Sequence, residues 1–478
     1  MEKFDTKVQR LKYSILREVA RLAWEDSLLE NVSEIPKMLI PGKKPTMRCC
    51  IHKERAILSE RVRLAVGGNR YNKKVIQVID IACEDCPAGG YEVTPSCRGC
   101  LSHRCVEVCR RGAIRIGEDQ KAVIDKTLCV ECGACARICP YNAIHNYKRP
   151  CESACRVGAI HMGEEKEACI DYDKCIACGA CVYTCPFGAI TDRSYILDVI
   201  DLIRNSDGGK NYPLFALVAP SIASQFTYAR PGQILSAIRA LGFTEIREVA
   251  LGADMVAAAE ARELEEQGFL TSSCCPAFVA YVEKNFPELK KHISHNLSPA
   301  GTLARAVRER YPNAHVVFIG PCTAKKAEFQ REEYRGLFDS VITFEELQAL
   351  IDSRSIAVEE LPDTKLEQAS SYGRIFARSG GVASAVCRAL GEAGSDFAAN
   401  PISCSGIDEC RAALMRAAHG VLPQNFIEGM ACVGGCVNGA GSLTHDERAR
   451  AAAERHAESS PIRSISDSLA NDREKINK

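Results

Sequence analysis

Cys129, Cys132, Cys135 and Cys139, followed by Pro140, repeat the spacing of Cys175, Cys178, Cys181 and Cys185, followed by Pro186: C-x2-C-x2-C-x3-C-P in each case. Thiolates two residues apart on a tight loop can occupy three corners of one iron–sulfur cubane, while the fourth reaches a neighbouring cubane. Zinc is the competing metal, but its sites favour two separated C-x2-C pairs. The spacing therefore predicts electron transfer through 4Fe-4S clusters.

The repeat extends beyond the motif. AVIDKTLCVECGACARICPYNAI from Ala122 aligns with ACIDYDKCIACGACVYTCPFGAI from Ala168, and weaker halves begin at Cys97 and Cys151. The region resembles two fused ferredoxin-like modules. It holds 17 cysteines from Cys83 to Cys185. Cys169 aligns with Val123 at a strand position and is set apart, leaving enough thiols for four cubanes. The ferredoxin exchange rule groups Cys97, Cys100 and Cys105 with Cys139, Cys129, Cys132 and Cys135 with Cys109, and Cys175, Cys178 and Cys181 with Cys155. Elimination leaves Cys83, Cys86, Cys151 and Cys185 as the fourth set; His103 is an alternative ligand in the first.

Three further cysteine loops follow residue 270: TSSCCPAFV from Thr271, GPCTAKKAE from Gly320 and EGMACVGGCVNGAG from Glu428. Each follows an apolar, strand-like run, and in an open α/β sheet the loops at the carboxyl ends of strands converge on one crevice. Five cysteines and a lysine would meet there. A thiolate can bridge two irons because sulfur is soft and keeps spare lone pairs.

On these three motifs, residues 211–443 resemble the catalytic domain of FeFe-hydrogenases of the monomeric, ferredoxin-fused type. The resemblance implies two small, mainly parallel sheets with flanking helices around a buried H-cluster, a 4Fe-4S cubane joined through a cysteine sulfur to a di-iron unit with CO, cyanide and a bridging dithiolate amine. By motif position Cys275, Cys322 and Cys432 would hold the cubane, Cys436 would bridge to the di-iron unit, and Cys274 would relay protons. Lys325 and Ser221 would contact the cyanides, and Met430 would line the cofactor. Glu260, Glu263 and Ser298 fall where relay residues are expected; a solvated helix face and a capping serine are the plainer reading. Glu328 and Glu428 also fit motif positions, Glu428 with a structural or relay role near the site. Glycines 434, 435, 439 and 441 would let backbone approach the cofactor. Phe278, Gly320 and the NGAGSL run from Asn438 depart from the better-known branch and resemble a less-studied one, leaving the presumed iron ligands intact.

These loops need a scaffold, and the chain of 478 residues is long enough for about three domains. Residues 5–30 carry Val8, Leu11, Ile15, Val19 and Leu22 at helical spacing behind Asp5 or Thr6 as a cap. The Ile40–Cys50 segment is broken by Pro41, Gly42 and Pro45 and reads as a connector. From Pro186 to Ser273 there is no cysteine, and strand-like runs such as LFALVAP and HVVFIGPC alternate with helical stretches. The reading is α/β and α+β: an N-terminal helical and connector region (1–80), two iron–sulfur modules (81–195), the catalytic domain (211–443) and a charged, alanine-rich tail (444–478), a helix followed by a loose end.

The composition excludes other classes. Lys plus Arg and Asp plus Glu are equal at 61 each, so no overall basic field exists for nucleic acid or an anionic membrane. No secretory h-region and no apolar run of about 18 residues is visible, which with 27 cysteines predicts a cytoplasmic protein with reduced thiols. Gly208–Lys210 reads as a turn, His292 and His295 as surface residues, and Cys387, Cys404 and Cys410 as small apolar fillers. Cys49 and Cys50 read as structural, with a redox or metal contact as the alternative. The leading expectation is reversible interconversion of protons, electrons and H2, with ferredoxin or a similar carrier as redox partner and hydrogenase maturation proteins as assembly partners. A hydrogen sensor and an iron–sulfur assembly or scaffold protein are the alternatives. No flavin or nicotinamide fingerprint is present.

Overall fold

Two all-parallel sheets carry the second half of the chain. In the first, strands Glu245–Glu248, Leu214–Val218, His315–Gly320 and Ser340–Thr343 lie side by side in that order. In the second, Leu270–Thr271, Phe426–Met430 and Pro401–Ser405 do. Leu214–Val218 and Phe426–Met430 are buried at every residue, as strands covered on both faces must be. The computed structural model describes residues 3–69, 71–83, 86 and 89–476, the last four by backbone alone.

Helix Val249–Gln267 joins the two halves, packing on Pro299–Arg310, Gly381–Glu392 and the C-terminal helix Ile465–Ile476. Small residues let it do so: a Cβ on Gly252 would lie 2.1 Å from the Pro299 carbonyl oxygen. Asp254 and Glu260 are fully buried carboxyls among the otherwise apolar buried residues of this helix.

The iron–sulfur region consists of two modules, one inserted in the other. The inner module spans the antiparallel pair Gly90–Val93 and Ile144–Tyr147 and encloses the hairpin Ile114–Ile116 with Ala122–Ile124. The outer one pairs Ile76–Val78 with Ile190–Asp192 and encloses the hairpin Ile160–Met162 with Ala168–Ile170. Cys169 is thus a strand residue, as its alignment with Val123 implied.

Helix Lys7–Trp24 begins at Thr6, which forms a reciprocal capping box with Gln9, and packs on Phe344–Ser353 of the catalytic half. The predicted single helix over 5–30 ends early, and short helices Leu28–Asn31 and Ile35–Leu39 follow it. At the junction of all three regions Lys326 Nζ, fully buried, lies 2.8 Å from Asp192 Oδ2 and 2.7 Å from Glu346 Oε2. Lys12 Nζ completes the cluster, 2.5 Å from Asp192 Oδ1 and 2.6 Å from Glu345 Oε2.

The connector ends in helix Ile51–Ala65, whose N-cap is the exposed Cys50, its sulfur accepting from Lys53 N–H at 3.4 Å. The tail differs from the expected loose end. Helix Arg448–Glu458 buries Ala449, Ala453 and Ala457, and in Ile465–Ile476 the Ile465 side chain is buried while Ser468 Oγ donates to the buried Asp254 at 2.6 Å. Alanines spaced four apart form a narrow apolar stripe that a count of large side chains overlooks. Asn477 and Lys478 of the predicted tail lie outside the described residues. Among the described residues no helix is long and apolar enough to cross a membrane.

Candidate metal centre

Four strands end at one cavity. Leu270–Thr271 runs into Ser272–Cys275, where Cys275 caps helix Pro276–Asn285; His315–Gly320 runs into Cys322, which caps helix Thr323–Glu328. Phe426–Met430 leads to Cys432 and Cys436, and Leu214–Val218 to the turn that carries Ser221. The cavity is lined by Cys274, Cys275, Cys322, Cys432 and Cys436, with Lys325, Ser221 and Met430 among them and apolar groups such as Phe318 and Phe376 between. The glycines act mainly between loops: a Cβ on Gly439 would lie 2.5 Å from the Pro321 carbonyl oxygen, the same oxygen that accepts from Gly441 N–H at 2.7 Å. They bring the Cys322 and Cys436 loops together.

Burial and the neighbouring sulfur of Cys275 push the Cys322 thiol up to about 12, and burial drives those of Cys432 and Cys436 upward as well. Four thiolates in so dry a space require strong positive charge, which a bound iron cluster provides. Ser221 Oγ is fully buried with no hydrogen-bond partner, a donor turned into the same space. These residues fit an iron–sulfur cofactor with additional polar ligands. Among the described residues, no three His, Cys, Asp or Glu groups are arranged around a single metal ion.

Lys325 Nζ lies 3.0 and 2.7 Å from the two carboxylate oxygens of the buried Glu328. Ser298 Oγ donates to Glu328 Oε2 at 3.1 Å and caps helix Pro299–Arg310, while Ser298 N–H donates to Tyr334 Oη at 3.0 Å. Ser298 therefore supports the lysine side of the cavity, and its position before Pro299 makes it a helix cap, the plainer of the two sequence readings. Glu428 accepts from Gly380 N–H at 2.8 Å, Ala383 N–H at 2.9 Å and Ser403 Oγ at 3.1 Å, which gives it a structural task at the start of helix Gly381–Glu392.

On the opposite side, Cys274 is buried, and its thiol is pushed far up by desolvation and by Glu260, so it stays protonated. Glu260 Oε1 accepts from Ser273 N–H at 2.9 Å and Ser273 Oγ at 3.0 Å, and Oε2 is buried without a partner. Burial pushes this carboxyl up to about 7. Ser294 faces Glu260 and donates its hydroxyl to Glu263 Oε2 at 2.8 Å. Glu263 Oε1 lies 2.6 Å from His295 Nδ1. Ser294 and His295 are the residues sequence reasoning missed, because the parallel bridge between Ile293 and Thr271 that places them is non-local.

In the iron–sulfur region Cys105 faces Cys100 and Cys139, Cys135 faces Cys129 and Cys109, Cys181 faces Cys178, Cys175, Cys155 and Cys151, and Cys151 faces Cys185 and Cys86. Cys109, Cys139, Cys155 and Cys185 each accept an N–H from the alanine four residues on, at 3.2–3.4 Å. The residue before each alanine is left-handed: Gly112, Asn142, Gly158 and Gly188. Cys178 lines the central cavity and faces Cys275 and Cys432, so the outer module abuts the centre. Cys83, Cys151, Cys181 and Cys185 of the outer module are buried, whereas Cys132 of the inner one is exposed.

Residues 212–440 match the family of the C-terminal domain of the iron only hydrogenase large subunit; residues 96–143 match a 4Fe-4S dicluster domain and 168–191 a 4Fe-4S binding domain. Iron hydrogenase 1 of Clostridium pasteurianum is 30% identical over 302 residues, covering 51% of this chain and 52% of that protein. The cytosolic Fe-S cluster assembly factor NAR1 of Botryotinia fuckeliana is 37% identical over 142 residues, 25% of this chain and 24% of that protein. A variant of apo [FeFe]-hydrogenase HydA1 from Chlamydomonas reinhardtii superposes with a TM-score of 0.49 at 20% identity, over 58% of this chain and 93% of that one. The chain spans about half the length of the iron hydrogenase it matches.

Proposed function

We propose that this chain, whose residues 212–440 match the C-terminal domain of the iron only hydrogenase large subunit, interconverts two protons and two electrons with H2. The observation that carries this reading is one dry cavity holding four cluster-forming thiols, a fifth protonated thiol, a lysine and an unpartnered serine hydroxyl.

In this reading Cys275, Cys322 and Cys432 would hold a 4Fe-4S cubane, and Cys436 would hold the di-iron unit beside it. When bound, that cofactor supplies the low-valent iron and the CO, cyanide and dithiolate-amine ligands that hydrogen chemistry requires. Lys325, held by Glu328, and Ser221 offer hydrogen bonds to its cyanides, and Met430 shapes its wall. Cys274 Sγ carries a proton at the cavity edge and exchanges it with Glu260. Ser294 connects Glu260 to Glu263, and a near-neutral carboxyl at Glu260 can be filled and emptied at physiological pH.

Electrons move through four cubanes: the inner module holds Cys97, Cys100, Cys105 with Cys139 and Cys129, Cys132, Cys135 with Cys109. The outer one holds Cys83, Cys86, Cys151 with Cys185 and Cys175, Cys178, Cys181 with Cys155. The more exposed inner module receives a ferredoxin-like carrier, and the outer module passes electrons inward past Cys178. The 27 cysteines, most of them grouped as metal ligands, favour a reducing, cytoplasmic setting, and assembly of the di-iron unit calls for hydrogenase maturation proteins as partners.

A second reading, an iron–sulfur assembly factor, is favoured by the NAR1 similarity over a quarter of the chain. Such a protein has no need of the Cys274, Glu260 and Glu263 line. Hydrogen evolution with a reduced dye after di-iron maturation separates the two: turnover supports the hydrogenase, and none, in a protein that carries its 4Fe-4S clusters but takes up no di-iron unit, supports the assembly factor.

A further inference from the structure

The line of buried groups from Cys274 ends at Glu263, whose side chain is only 12% exposed, too enclosed to exchange protons freely with water. Beside it stands His295, with its side chain 75% exposed and Nδ1 2.6 Å from Glu263 Oε1. Both His295 and Ser294 line an open cleft that reaches inward to Ser273, the residue before Cys274.

We propose that His295 is the outer proton-exchange residue of this chain, a positioning and delivery group that acts through Glu263; the proposal rests on the hydrogenase reading. Water or a buffer acid protonates the ring at Nε2. The Nδ1–H bond then breaks as an O–H bond forms at Glu263 Oε1, leaving a neutral ring. Release of the Nε2 proton to water and uptake of one from water at Nδ1 restores the starting tautomer, and hydrogen oxidation runs the same transfers in reverse. No electrons move in these steps.

The imidazole is dispensable for the local fold. Glu263 is also held by Ser294 Oγ at 2.8 Å, Asn296 Nδ2 at 2.9 Å, His295 N–H at 3.0 Å and Gln267 Nε2 at 3.0 Å. All four contacts survive loss of the ring. An imidazole suits the task because its two ring nitrogens can hold a proton on either side of the ring. The charged groups around it are Glu263 on helix Val249–Gln267, Lys290 and Lys291 with His292 on its own segment, and Glu283, Arg331 and Glu333 across the cleft. Arg331 is already paired with Glu283 and Glu333 at 2.7 Å each, so the carboxylate nearest the ring is Glu263.

The test compares the matured wild-type chain with His295→Ala for hydrogen evolution at low buffer concentration, with and without added imidazole. The proposal expects the variant to fall about tenfold, less than the roughly 10²–10⁴-fold of a proton donor at the reacting centre, and imidazole to restore it. Cys274→Ser should not respond to imidazole. In the metal-free chain, 15N ring shifts should show His295 as the Nδ1–H tautomer in its neutral form. Full activity of His295→Ala at low buffer, a loss that imidazole does not repair, or an Nε2–H tautomer overturns the proposal. A loaded wild-type chain that turns over no hydrogen overturns the hydrogenase reading, and the shuttle with it; an active wild type with an unaffected variant overturns the shuttle alone.

Discussion

Glu260 takes both the backbone N–H and the hydroxyl of Ser273, at 2.9 and 3.0 Å, on one carboxyl oxygen and leaves the other buried without a partner. Burial raises this carboxyl from 4.5 to about 7, so the folded chain binds the proton more tightly than the unfolded chain does. Stability therefore falls as pH rises from about 4.5 to 7, by roughly 3 kcal/mol for this group. Glu260→Gln should flatten that part of the curve; thermal unfolding of the metal-free variant and wild type across this pH range measures the difference. An unchanged slope would place the ionisation elsewhere.

The same substitution should leave the cofactor in place and slow turnover, as should Cys274→Ser, each by about 10²–10⁴-fold, the usual contribution of a positioned proton donor. Cys436→Ala should instead lose the di-iron unit. Iron content and infrared spectra of the matured variants distinguish slow chemistry from an empty site.

Lys325 and Glu328 are both buried and pair through two contacts of 3.0 and 2.7 Å. Removing the cation alone in Lys325→Met leaves an uncompensated buried carboxylate and should cost about 3–5 kcal/mol, while adding Glu328→Gln should recover part of it. Chemical denaturation of the metal-free single and double variants gives the coupling.

Loss of an inner-module cluster through Cys132→Ala should remove most of the activity with a protein carrier and spare activity with a small dye that can reach the outer module. Equal losses with both donors would contradict entry of electrons through the inner module.

Much of the catalytic half was legible because each cysteine loop follows a largely buried strand rich in apolar residues, and parallel topology sends such loops to one edge. The proposed grouping of Cys83 and Cys86 with Cys151 and Cys185, reached by elimination, spans an insertion that local spacing hides: the inner module lies between Cys86 and Cys151. Ser298, a serine before proline next to a motif, suits a cap as well as a relay, and the bond it accepts from Gly301 N–H is that of a cap. Ser294 and His295 were illegible because a parallel bridge from Thr271 to Ile293, not sequence spacing, brings them to Glu263. The docked tail was hidden because its contacts are alanines and a single serine on Asp254.

The most direct test of the central claim is an anaerobic infrared spectrum of the full chain after di-iron maturation, with a known hydrogenase matured in parallel. Iron-bound CO and cyanide bands that shift under H2 are the predicted result. Complete absence of those bands, with the control enzyme fully loaded, would contradict the hydrogenase assignment.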